Sequence, residues 1–549
     1  EEVQEDISES VNTAKTELDG AITEIDVAKT EAIQAVEQEG AAQIQSLVDA
    51  GGGLENAINH YYALRRTGKV YETKIYKFNA NPTSTGEKLG ANSGLVCEPS
   101  TDTVEGRDDY ENIPLFQWVD VNYIRDENGD PHPTAIKGQS GYKETGAVDV
   151  GVMQMSFWVK VDSSNPEYDI WAISDLPKEG FVPYTNAVRP DGSVAQYIIH
   201  SKYISGIASD GFLRSQPGLK PERNQSYNNM IINYAKKGDG YQGAGAERNL
   251  FQLIFQVIKY ATKNSQSVFQ GCTSYSFQYP ASIARTTSDT YFPVTNAQAA
   301  NIIVGAYVSV GYGANNGGTV NNDRSVVTIH TYADDVKVLK IETLDDNNKA
   351  VYLDVTTGFS TTPVDVSGIS ASVTISSMHC HSGSTNNVVG HHDGSVMSNS
   401  AGKTPYRIQG VEYAVGGYII ASDTAMEFQP DYSKNVYCAS KGQKHTSSVS
   451  TIRSTYKLIG NVPATANGGD YWIGDIGINF DTGSWYPAVI GSGNTQGWAD
   501  MQYNGGASTS GFREYLQNGY LSVGLRAGSV CLYGGSALSW SDWYFLSCD

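Results

Sequence analysis

Along the first fifty positions apolar residues recur in steps of four, four and three. The series is Val3, Ile7, Val11, Ala14, Leu18, Ile22, Ile25, Lys29, Ile33, Val36, Gly40, Ile44 and Leu47, and eleven of the thirteen are apolar. Glu, Gln, Asp, Thr and Ser fill the intervals. Eleven residues in three turns is about 3.67 per turn, which predicts a long helix supercoiling only slightly, with a right-handed sense. A stripe of this length has to be covered, so it demands copies of itself. Parallel assembly into a homotrimer is the preferred expectation, since Ile at core positions favours more than two strands. The alternative is one amphipathic helix folded back on its own domain. Gly51-Gly52-Gly53 ends the pattern. This gives a coiled-coil stalk over 1–53 and a connector or neck over 54–114.

Beyond Tyr71 the period shortens to two. In "VMQMSFWVKV" Met153, Met155, Phe157, Val159 and Val161 alternate with Gln154, Ser156, Trp158 and Lys160, the pattern of one half-buried strand. Two helical stretches follow. "SYNNMIINYAKKG" sets Tyr227, Met230, Ile231 and Tyr234 at helical spacing and stops at Gly238. "AERNLFQLIFQVIKYATKNSQ" is apolar almost all round, which predicts a central buried helix. Val/Thr/Gly-rich strands broken by Gly, Asn and Asp return after Ser282. The expected fold class is α+β: the first part of a head over 115–282, a β-rich insertion over 283–400, and the C-terminal part of the head over 401–549.

Charge and composition narrow the function. The net charge is −21, of which residues 1–50 supply −11 from 13 acids and 2 lysines, so a basic face for nucleic acid is not expected. No apolar run of 18 residues occurs, which argues against membrane insertion. No signal peptide is read, and a chain beginning at Glu1 rather than Met is expected to be part of a longer or processed product. Cys97, Cys272, Cys380, Cys438, Cys531 and Cys548 include no C-x-x-C and do not read as a zinc site or a disulfide framework.

Several short motifs invite chemistry. "MHCHSGSTNNVVGHHDG" gathers His379, Cys380, His381, His391, His392 and Asp393, and His-x-His on a strand could face a metal. The ligand spacing matches no fixed metal motif, so no metal and no cofactor is expected. Gln429-Pro430-Asp431 resembles a sugar-selecting tripeptide without its partner motif. "DENGD" at 126–130 opens like a calcium loop but carries Pro131 and Lys137 where Gly and Glu are needed, which leaves a turn. No G-x-S-x-G occurs, and no carboxylate pair stands out among 59 acids, so an enzyme is not expected.

"GKTPYRIQGVEYAVGGYIIASD", with a Gly/Trp-rich end, resembles the C-type-lectin-like fold in its formylglycine-generating-enzyme-like form. The approximate pattern there is R-x-x-G-x-E-N-x-x-G-N. Arg407, Gly410, Glu412 and Gly416 match it, while Tyr413 and Gly417 stand where the two Asn belong. Cys531 and Cys548 lack the short spacing of the oxidase that names the form. "HYYALRRTGKVYETKIYKF" and "LVCEPSTDTVEGRDDYENIPLFQW" further resemble tail-fibre proteins of phages and prophages from gut Firmicutes. The resemblance implies a virion-borne tail-fibre or tail-tip adhesin that contacts other tail proteins and binds a bacterial surface receptor, protein or glycan. In several such proteins a diversity-generating retroelement rewrites the final segment.

That segment, "GSVCLYGGSALSWSDWYFLSCD", mixes aromatics with Gly and Ser, the composition of evolved binding loops. The expected receptor-binding residues are Tyr520, Arg526, Ser529, Cys531, Tyr533, Ser536, Leu538, Trp540, Asp542 and Tyr544. Of these, Tyr533, Ser536, Leu538, Trp540 and Asp542 are expected to be exposed. Leu532 and Trp543 are expected to point inward. The competing readings are a purely structural fibre or baseplate component and an enzyme acting on surface glycans.

Overall fold

The segment after Gly245 carries Leu, Ile, Val and Phe on every side, so it is stable only where packing surrounds it. The computed structural model places it at the centre. It describes residues 40–46, 48–49, 53–77, 86–312, 315–316, 319–320, 327–366, 368–504 and 508–549. Three of its helices matter below: α1 (Leu54–Arg65), α2 (Tyr227–Ala235) and α3 (Glu247–Tyr260). Every residue of α3 from Arg248 to Tyr260 is buried, and the helix ends at Ala261 in the left-handed region, φ 51°. As the sequence predicts, α2 runs close to Tyr227–Tyr234, with Ser226 capping its start.

Strand outweighs helix, 35% against 15%, so the protein is mixed α+β and mostly β. Five strands, ordered Glu87–Gly90, Val70–Tyr76, Tyr168–Ser174, Trp158–Asp162 and Val182–Pro183, form one sheet over α3. A four-stranded sheet runs Pro131–Ile136, Trp118–Arg125, Asp149–Met155, Tyr197–Ser201. One face of it turns Trp118, Val152 and Ile198 toward α3; the other turns Val121, Tyr123, Met153, Met155 and Ile199 toward α1. Residues 40–46 are helical and complete that second layer, with Ala41 and Ile44 buried against Ala57, Ile58 and Tyr62. At this end the stripe therefore packs on its own chain, as in the folded-back alternative. The rest of the expected stalk lies outside the described residues apart from 48–49 and Gly53, and with it the trimer seam.

"VMQMSFWVKV" corrects the single-strand expectation. It is two strands in two sheets, and all of Asp149–Met155 is buried because both faces of its sheet are covered. Arg66 breaks the run by donating to the Ser156 carbonyl at 3.0 Å and to its hydroxyl at 2.8 Å.

The third large sheet has nine strands, built from Tyr418–Phe428, Lys434–Cys438, Lys457–Val462, Tyr471–Asn479, Ser484–Ile490, Met501–Tyr503, Phe512–Gln517, Leu532–Tyr533 and Phe545–Leu546. Its outer strands nearly meet: a Cβ on Gly460 would lie 2.0 Å from the Tyr486 ring, and one on Gly477 2.4 Å from it. These glycines let the ring seat and bend the sheet toward a barrel. Between α3 and this sheet the chain enters a six-stranded sheet spanning Gln278–Ser377, with its own core of Phe292, Val294, Val308, Val351 and Ile375.

The "DENGD" carboxylate of Asp126 accepts the Asn128 and Asp130 amides, both at 2.9 Å, closing a turn. Asp431 likewise accepts the Ser433 amide and hydroxyl in a hairpin turn.

Candidate functional site

The terminal segment is threaded through the nine-stranded sheet. Leu532–Tyr533 lies between Phe512–Gln517, antiparallel to it, and Met501–Tyr503, parallel to it. Phe545–Leu546 runs parallel to the start of Tyr418–Phe428. What joins them, residues 534–544, crosses the surface beside α2 and is tied there at several points. The Asn228 amide donates to the Leu538 carbonyl at 3.1 Å, and the Asn224 amide to the Asp542 carbonyl at 3.0 Å. Underneath, Asp500 Oδ2 accepts the Val530 amide at 2.9 Å, and burial pushes that carboxyl up to about 7. Glu514 accepts the Tyr227 amide at 2.9 Å and is also raised by burial. The buried acceptors thus fix what flanks the loop, Asp500 the approach at Val530 and Glu514 the start of α2.

Trp540 projects from this loop with 59% of its surface exposed, as expected. Arg526 is exposed as well. Tyr533, Tyr520 and Tyr544 are half-buried and gather around the buried Tyr418. The ring centroids of Tyr418 lie 5.4 Å from Tyr533 and 5.2 Å from Tyr520, and Tyr520 lies 4.8 Å from Tyr544. Asp542 is half-buried, and its carboxylate accepts the Tyr544 amide at 3.3 Å.

Four expected contact residues face the other way. Ser529 and Cys531 are fully buried, the Ser529 amide donating to Ser265 Oγ and burial pushing the Cys531 thiol well up. Ser536 and Leu538 are buried at 8% and 5%. The cause is an antiparallel bridge between Arg513 and Ala537, which turns Ala537 outward and its two neighbours inward. Leu538 then packs with Tyr227 and Met230 of α2. Leu532 is buried as expected. Trp543, expected inside, is only half-buried, packed against the His330 imidazole at 4.3 Å and the Arg223 guanidinium at 4.7 Å. Arg223, His330 and Tyr418 escape sequence reasoning, because each lies more than a hundred residues from the rings it joins and carries no local signal.

The histidine cluster is divided in two. His379 and His381 leave the end of Val373–Ser377, with the His379 ring 5.9 Å from Tyr544 and His381 stacked on Tyr307 at 3.5 Å. His391 stacks on Trp118 at 3.3 Å, and His392 meets Glu111 at 3.0 Å. Among the described residues no group of three or more His, Cys, Asp or Glu could hold a metal ion. Arg407 and Glu412 set this division. Glu412 accepts the Gly383 and Thr385 amides and the Thr385 hydroxyl, and Arg407 donates to the carbonyls of Thr385, Val388, Gly390 and His392. Both side chains are buried, so the motif holds a loop rather than presenting a site.

No protein-family model matches this sequence, and no curated protein matches it.

Proposed function

We propose that this chain is a tail-fibre adhesin of a phage or prophage, which binds a bacterial surface receptor through the loop of residues 533–544. The observation that carries the reading is Trp540, a large aromatic left 59% exposed on the loop that also holds Tyr533 and Tyr544. Rigid aromatics at the centre of an interface supply most of its energy. The lectin-like resemblance around Arg407–Gly417 points the same way. Assembly as a homotrimer, a lectin-like head and placement in the virion belong to this proposal; three copies on one stalk would add avidity to modest single contacts.

The test is adsorption of the labelled protein to a panel of intestinal Firmicutes. Trp540→Ala, and separately Tyr533→Ala with Trp540→Ala, are expected to cut binding by about tenfold or more while the melting temperature holds, as for a central aromatic anchor. Undiminished adsorption by folded variants would favour a structural fibre component. Steady release of sugars from host glycans would favour an enzyme.

A further inference from the structure

A cleft of about 500 Å³ opens between α1, the helical residues 40–46 and the edge of the four-stranded sheet. It shares no residue with the terminal loop, so its reading stands or falls apart from the one above. Its size is that of a small-molecule site, for which clefts of about 300–1,000 Å³ are usual. Two features of its wall restrict what could enter.

The first is charge. Glu105, Asp108, Glu111 and Asp120 line the cleft together with Arg65, Lys137, Lys259 and the two histidines. These groups already pair across the wall: Lys259 with Asp108 at 3.1 Å, Lys137 with Asp120 at 3.2 Å, and His392 with Glu111 at 3.0 Å. Arg65 donates to Gln117 at 2.7 Å. A charged ligand would compete with these pairs, whereas a neutral one could add hydrogen bonds to them.

The second is aromatic surface. Tyr61 and Tyr62 meet edge to face at 5.4 Å on one side, and the stacked His391–Trp118 pair stands in the wall as well. Flat apolar faces beside paired polar groups suit a ring that is apolar on its faces and polar at its rim.

We infer that the cleft binds a neutral saccharide of about disaccharide size. Tyr61 and His391 lie against the C–H faces of the sugar, while Glu111 and Gln117 take its hydroxyl groups.

Calorimetry and ligand-observed NMR on the full chain test this with maltose, cellobiose and N,N′-diacetylchitobiose, and with glucose 6-phosphate and spermidine as charged comparisons. At least one of the three neutral disaccharides should bind saturably. Tyr61→Ala and Glu111→Gln should each weaken that binding by about fivefold or more, the loss of one good contact. Glu111 is half-exposed, so the second variant leaves the fold intact even if the first does not. Trp540→Ala should leave saccharide binding unchanged. The inference fails if none of the three binds, if binding survives both cleft substitutions, if a charged probe binds better, or if Trp540→Ala abolishes it.

Discussion

Asp500 offers the sharpest test of how the terminal segment is held. It is fully buried, accepts the Val530 amide at 2.9 Å and the Gln266 side-chain amide at 3.3 Å, and lies under the chain at Gly528. Burial raises its carboxyl from the ordinary 3.8 to about 7. A folded value above the unfolded one means that the folded state keeps a proton the unfolded chain gives up. The stabilisation is therefore complete below pH 3.8 and is lost as the pH rises through about 7. At 1.36 kcal/mol per pH unit, that interval amounts to about 4 kcal/mol at most, and relaxation or water entry on ionisation will lower it toward about 2 kcal/mol. Asp500→Asn keeps an oxygen for the Val530 amide and cannot ionise. Urea unfolding of both proteins, followed by tryptophan fluorescence at pH 4.5, 6 and 8, isolates the group. His200 and His445, which burial holds down at about 4, contribute the opposite slope, but equally to both proteins. The variant should be near wild type at pH 4.5 and more stable by about 2–4 kcal/mol at pH 8. A stability difference that is flat with pH, or that shrinks as pH rises, would refute the argument.

Three further outcomes follow from the packing. Glu412→Ala leaves two buried amides and a hydroxyl without their acceptor, so it should cost about 3 kcal/mol or more, whereas Glu412→Gln keeps part of the set; equal melting temperatures for wild type and Glu412→Ala would contradict this. Gly410→Ala puts a Cβ 2.6 Å from the Trp118 ring at φ 76° and should abolish soluble expression, while Gly493→Ala, with nothing within 4 Å, should express normally. The thiols of Cys272 and Cys380 lie 3.8 Å apart across 108 residues, so diamide, taking two electrons and two protons, should join them and raise stability by about 4–5 kcal/mol on the chain-entropy account. Peptide mapping without reductant reads the bond directly, and two alkylatable thiols after treatment would count against it.

What could be read from the chain follows a physical division. The helix α3 is legible because a segment apolar on every side has only one environment available to it, and α2 because its spacing and its Ser226 cap are both local. The facing of the last twenty residues is not local. Whether Ser536 and Leu538 point in or out depends on one bridge, Arg513 to Ala537, made by a residue of another strand. The misreading at Ser156 has the same origin, since the guanidinium that ends the strand belongs to Arg66, ninety residues earlier. The histidines show the converse. Their nearness in sequence suggests a shared site, yet Arg407 and Glu412 gather the backbone between them, leaving His379 and His381 against Tyr544 and Tyr307, and His391 and His392 against Trp118 and Glu111. Buried charges of this kind decide where loops go, and they do so through backbone amides and carbonyls that any residue supplies. On the adhesin proposal, the exposed Trp540 can change while Asp500 holds the approach to its loop, and Arg407 and Glu412 hold residues 383–392 apart from it. Substitutions at the three buried positions should accordingly alter stability, and those at the exposed ring only recognition.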